Sequence, residues 1–124
     1  MAKVDKLRFV SFNCKGFKER NFLYLNELYS KCDIMLLQET WLHSFQDSVI
    51  KKVLNGCDCY TVSSMIPDDI GRMGRPFGGC ALVWRQNLPV VITPVHAQSS
   101  RLCAVILNID KVNIYYNFCL YANK

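Results

Sequence analysis

Asp33-Ile34-Met35-Leu36-Leu37-Gln38-Glu39 is the stretch whose reading decides the fold. Its apolar residues run without alternation and are closed by two polar ones. A strand with one wet face would alternate, so continuous apolarity predicts a strand buried on both faces, as in a parallel sheet. Upstream, Leu7 to Asn13 (LRFVSFN) is short, aromatic and β-branched, and it ends at Asn13-Cys14-Lys15-Gly16, a turn signature. Between the two, Phe22, Leu25, Leu28 and Tyr29 fall on one face of a helix from about Lys18 to Ser30. Strand, helix and strand form a βαβ unit, whose crossover is almost always right-handed.

Downstream, Val49, Ile50, Val53 and Leu54 mark a short second helix that ends before Asn55-Gly56. Cys59 to Val62 reads as a strand. Ser63 to Phe77, with Pro67, Gly71, Gly74 and Pro76 among charges, reads as a mobile surface loop. Gly79 to Arg85, Pro89 to Val95, Arg101 to Leu107 and Val112 to Tyr121 follow as strands, the last two joined through Asn108-Ile109-Asp110-Lys111. The expected fold class is α/β, a βαβ start followed by mostly antiparallel strands, with no repeat and no linker.

Composition narrows the class further. The 124 residues are 51% hydrophobic and 20% charged, which excludes intrinsic disorder and fits one domain. No uncharged stretch approaches the ~20 apolar residues that span a bilayer, and Met1 to Lys6 carries charge where a signal peptide needs its apolar segment. The seven cysteines are odd in number, contain no CxxC pair and sit mostly in apolar runs. Buried thiols in a reducing compartment explain them better than a disulfide framework or a metal set at Cys57-Asp58-Cys59. The expected location is intracellular, nuclear or cytoplasmic. Fifteen Lys and Arg against ten Asp and Glu give a net charge of +5, which suits a polyanionic partner and equally suits mere solubility. The basic residues group early, through Lys15, Lys18 and Arg20, and again at Arg72, Arg75 and Arg85.

Asn13 closes the first predicted strand and Glu39 closes the second. Parallel neighbours run the same way, so both groups arrive at one carboxyl edge, where open α/β sheets place their ligands. A carboxylate there would be partly desolvated and would need a cation or a donor. Mg²⁺ suits one or two carboxylates completed by phosphate oxygens, and the Asn13 amide could donate to Glu39 or to a phosphate. The bland alternative is that Gln38-Glu39-Thr40 caps a following helix.

Three segments in order, Ser11-Phe12-Asn13-Cys14-Lys15-Gly16-Phe17, Asp33 to Leu42 and Gly74-Arg75-Pro76-Phe77-Gly78-Gly79-Cys80-Ala81-Leu82-Val83-Trp84, resemble the endonuclease/exonuclease/phosphatase superfamily. The Asp-Ile-x-x-Leu-Gln-Glu-Thr block is the most specific, and the Gly-Arg-Pro-Phe-Gly-Gly run resembles the endonuclease domain of LINE-type (non-LTR) retrotransposon polyproteins. The resemblance covers about residues 7 to 123 and implies the first half of a DNase I-like four-layer α/β sandwich, here a single partial domain over 1–124, truncated at its C-terminus. It implies catalytic roles for Asn13, Glu39 and Tyr121, with Glu39 and Asn13 at a Mg²⁺ ion that Mn²⁺ could replace. Tyr115 and Tyr116 are alternatives to Tyr121. Lys15, Arg72 and Arg75 would contact the backbone of DNA.

Two departures from the family stand out. Many relatives carry Asp or Asn two residues after the first Asn, where this chain has Lys15, which cannot hold a cation but can hold a phosphate. The Asp-x-Asn and Ser-Asp-His segments that orient water, act as acid and base and stabilise the leaving group are absent before Lys124. The expected activity is therefore Mg-dependent phosphodiester cleavage, weak or absent in this stretch alone, with a non-catalytic nucleic-acid-binding or partner-binding remnant as the alternative. Of the two histidines, His43 could approach the edge and His96 reads as a loop residue. A half sandwich would also leave a sheet face uncovered, so self-association is expected.

Overall fold

The computed structural model describes residues 6–63, 78–96, 102–109 and 112–119, with Leu102 and 112–119 as backbone. Its elements are β1 (Phe9–Asn13), α1 (Glu19–Ser30), β2 (Ile34–Gln38), α2 (Asp47–Val53), β3 (Cys57–Val62), β4 (Cys80–Arg85), β5 (Val91–Val95), β6 (Leu102–Ile109) and β7 (Val112–Cys119). They form two sheets, one ordered β1-β2-β4-β3 and the other β5-β6-β7. The fold is mixed α/β, as the apolar patterning predicts.

β1 and β2 pair in parallel, from Phe9 opposite Ile34 to Asn13 opposite Gln38. The unbroken apolarity of β2 reflects a core on each of its faces. Met35 and Leu37 face α1 and α2 in a core with Leu25, Tyr29, Ile50, Leu54, Ala81 and Val83. Ile34 and Leu36 face the opposite way, towards a second core with Leu82, Trp84, Val105 and Leu107. Burying one such side chain is worth roughly 1.5–3 kcal/mol, so both faces hold the strand in register. Arg85, from the end of β4, donates to the carbonyls of Tyr29 and Cys32 and stacks on Tyr29 with its guanidinium 4.2 Å from the ring centre. That contact adds a cationic donor at the end of α1, where Tyr29 O also accepts the Cys32 amide at 3.4 Å.

The order of the strands is not the order of the sequence. β4, not β3, lies antiparallel beside β2, and β3 pairs outside it. β4 is buried at Cys80, Ala81, Leu82, Val83 and Trp84 because it occupies this central place. β6 packs on β3 and β4, so the second sheet covers that half of the first. On β1 the same face carries Phe9, Ser11 and Asn13, and all three are exposed.

The connection between β6 and β7 is shorter than expected. Asn108 pairs with Asn113 and Ile109 with Val112, which leaves two residues rather than four between the strands. β5 is an edge strand holding Pro94, and an edge is where a strand tolerates a residue with no amide hydrogen. The expected loop at Ser63 to Phe77 lies, from residue 64 on, outside the described residues.

Candidate metal and phosphate site

Asn13 Nδ2 donates to Glu39 Oε2 at 2.6 Å. Strand geometry alone does not produce this contact. Asn13 and Gln38 are register partners on one face, and an extended Glu39 would point to the other. The chain instead turns left-handed at Glu39 (φ 48°), which breaks the alternation and lets the carboxylate meet the amide.

The parallel pairing continues past the strand ends and zips the two connections together. Cys14 N donates to Gln38 O, Gly16 N to Glu39 O and Phe17 N to Thr40 O, each at 2.8 Å. On the other flank Thr40 N donates to Gly79 O at 3.2 Å and Trp41 N to Gly78 O at 2.9 Å. Asn13 Oδ1 accepts the Lys15 amide at 3.0 Å, closing the turn after β1. Asn21, on the first turn of α1, donates to the carbonyls of Cys14 and Gly16 and ties that turn to the crossover helix.

Among the described residues, the non-glycine residues with left-handed backbone are Lys15, Glu39 and Trp41, at φ 47°, 48° and 59°. Such a conformation costs on the order of 1–3 kcal/mol per residue and persists only where the surroundings enforce it. All three sit within two residues of the Asn13–Glu39 contact. Gly79 belongs to the same edge, since a Cβ on it would lie 2.6 Å from Thr40 Oγ1.

Among the described residues, no cation pairs with the carboxylate of the site. Glu39 is half-buried, and none of the ion pairs among the described residues includes it. Burial, helped by the charge of Glu39, pushes the Cys14 thiol up to about 12, so it stays protonated and is no nucleophile at neutral pH. Lys15, Lys18 and Arg20 are exposed beside the turn, and Arg20 donates to Lys15 O at 2.8 Å.

Of the residues singled out in the sequence, the structure brings Asn13, Lys15 and Glu39 together. Tyr121, Arg72 and Arg75 lie outside the described residues. His43 stacks on Phe45 at 5.1 Å, its backbone amide donates to Gln46 Oε1, and its Nδ1 is buried without a hydrogen-bond partner. His96 is exposed just after β5. Sequence reasoning missed Thr40 and Trp41 as parts of this edge. A polar residue buried to 1% exposure directly after a strand has no signature in one sequence.

A divalent ion fits what is present only in part. Glu39 keeps Oε1 clear of the Asn13 amide, and one carboxylate completed by phosphate oxygens and water is an arrangement Mg²⁺ accepts. No cluster of three or more His, Cys, Asp or Glu side chains suited to a metal occurs among the described residues. A metal ion held here would rely on its substrate for further ligands.

The model of the endonuclease/exonuclease/phosphatase family matches residues 10–120, and the chain belongs to that family. Proteins of this family generally cleave phosphodiester bonds and use divalent metals. No curated protein matches the chain. No helix among the described residues is long and apolar enough to cross a membrane.

Proposed function

We propose that the protein is a Mg²⁺-dependent, DNA-cleaving domain of the retroelement endonuclease type, with Mn²⁺ able to substitute. The observation that carries this reading is the half-buried Glu39 carboxylate, in no ion pair among the described residues and held by the Asn13 amide at the carboxyl edge of a parallel strand pair. The Gly74 to Gly79 run supports the retroelement assignment, and the excess of Lys and Arg supports an anionic substrate.

When bound, the metal polarises the phosphoryl oxygen and lowers the pKa of water. The protein's own residues do the rest. Asn13 holds Oε2 of Glu39, so Oε1 would be the atom to hold the ion, and the Oδ1 of Asn13 keeps a second lone pair beyond its bond to Lys15 N. Lys15 places a cation beside the phosphate. Tyr121 positions that phosphate, and Arg72 and Arg75 hold the flanking backbone. Residues 1–124 contain no counterpart of the family's Asp-x-Asn and Ser-Asp-His segments, so nicking by this stretch alone is slow or nil. The protein acts inside the cell, in nucleus or cytoplasm, and associates with itself through the exposed β1 face, which size-exclusion chromatography tests.

Plasmid nicking in Mg²⁺, with Glu39→Ala as control, tests the main reading. Nicking that the substitution leaves unchanged would remove Glu39 from the mechanism. The exposed Lys15, Lys18 and Arg20 favour a second reading, a non-catalytic nucleic-acid-binding remnant, which predicts salt-sensitive DNA binding without turnover.

A further inference from the structure

We propose that Trp41 is a positioning residue for this site, its indole wedged against Gly16 so that the turn after β1 is held where Asn13 meets Glu39. The inference rests on the reading of Glu39 as the metal-holding group.

Gly16 and Trp41 require each other. A Cβ added to Gly16 would lie 2.5 and 2.7 Å from two carbons of the Trp41 ring, so the indole occupies the space a side chain would fill. The Lys18 side chain comes within 3.1 Å of the same point, and its ammonium sits 4.9 Å from the ring centre. A cation over indole is attracted by the ring's negative face. The ring is therefore held between the start of α1 and the turn it presses on.

Trp41 reaches this place at a cost. Its φ is 59°, and its amide is fixed by Gly78 O at 2.9 Å. Gly16, under the ring, donates to Glu39 O at 2.8 Å. Pressure on Gly16 is thus passed to the backbone of the metal-holding residue and, through the Lys15 turn, to Asn13. The other two left-handed non-glycine residues among those described, Lys15 and Glu39, are the ones this wedge brackets. Without the ring, Gly16 loses the nearest side chain that packs on it, and the amide and carboxylate lose their shared orientation.

The test compares Trp41→Phe with Trp41→Ala in the full chain, using two readouts. The first is the Asn13 side-chain amide resonance in a nitrogen–proton NMR spectrum, identified by its loss in Asn13→Ala and displaced by its carboxylate partner. The second is Mn²⁺ affinity by calorimetry. Trp41→Phe, which keeps an aromatic ring on Gly16, is expected to preserve both. Trp41→Ala is expected to move the amide resonance to its solvent-exposed position and to weaken Mn²⁺ roughly 10–100-fold, the range for groups that orient a ligand. A folded Trp41→Ala with unchanged resonance and affinity overturns the proposal. Should Trp41→Ala not fold, Gly16→Ala, which forces a methyl into the ring, must shift the same resonance, and a fixed resonance overturns the proposal too. Wild-type protein that binds no Mn²⁺ contradicts the functional reading, while the amide resonance still decides the role of Trp41.

Discussion

The amide of Asn13 and the carboxylate of Glu39 are 26 positions apart in sequence and 2.6 Å apart in space, joined at the adjacent ends of two parallel strands. Each strand delivers one partner, and a left-handed residue turns the second towards the first. A carboxylate fixed in this way is oriented, and no ion pair among the described residues neutralises it.

Glu39→Gln keeps the side chain's shape and a carbonyl to accept from Asn13 but removes the charge. Phosphodiester cleavage in Mg²⁺ is expected to fall by about 100-fold or more, since the metal's electrostatic contribution is worth several kcal/mol. The denaturation midpoint should change little, because the group is half-exposed and forms no ion pair among the described residues. Asn13→Ala removes the orienting donor together with the acceptor that closes the Lys15 turn, and should cost roughly 10–100-fold in the same nicking assay.

Lys15 is exposed and stands beside the pair. Lys15→Ala is expected to weaken DNA binding about equally for all sequences and to reduce the slope of log affinity against log salt by about 1. Fluorescence anisotropy across a salt series measures both quantities.

Two glycines with similar backbone separate strain from steric overlap. Gly56 has φ 77° and nothing within 4 Å of an added Cβ, whereas Gly79 has φ 84° and Thr40 Oγ1 at 2.6 Å. Gly56→Ala should cost about 1–2 kcal/mol, the conformational penalty alone. Gly79→Ala should cost more, because the buried Thr40 must also move. Urea denaturation of the two variants compares them directly.

Several thiols make stability fall at alkaline pH. Burial, the largest cause in each case, pushes Cys14 and Cys59 up to about 12 and Cys57 up to about 11, from an ordinary 9.0. Below pH 9 both folded and unfolded chains keep these protons. Above it the unfolded chain releases them first, so the thiols' contribution is lost as pH rises from about 9 towards 12. Under reducing conditions, the urea midpoint should drop between pH 8.5 and 10.5, on the order set by these shifts. Cys14→Ala should flatten that drop.

The residues differ in how legible they were from sequence. β2 could be read because burial on both faces leaves an unbroken apolar run, and α1 because Leu25 and Tyr29 repeat on its inner face. The insertion of β4 between β2 and β3 could not, since pairing partners far apart in sequence leave no local periodicity. Asn13 and Glu39 were found by their place at strand ends. The left-handed turn that joins them was not, because glutamate, lysine and tryptophan carry no preference for that conformation and are forced into it by neighbours.

Glu39 and Trp41 lie two residues apart, within about 7 Å along the chain, so a lanthanide bound at the carboxylate would be excited through the indole. Terbium luminescence on excitation of tryptophan is the most direct measurement of the central claim. The account predicts emission that rises to saturation in the wild type, is displaced by Mg²⁺, dims in Trp41→Phe and disappears in Glu39→Gln. Saturable emission that persists undiminished in Glu39→Gln would contradict it.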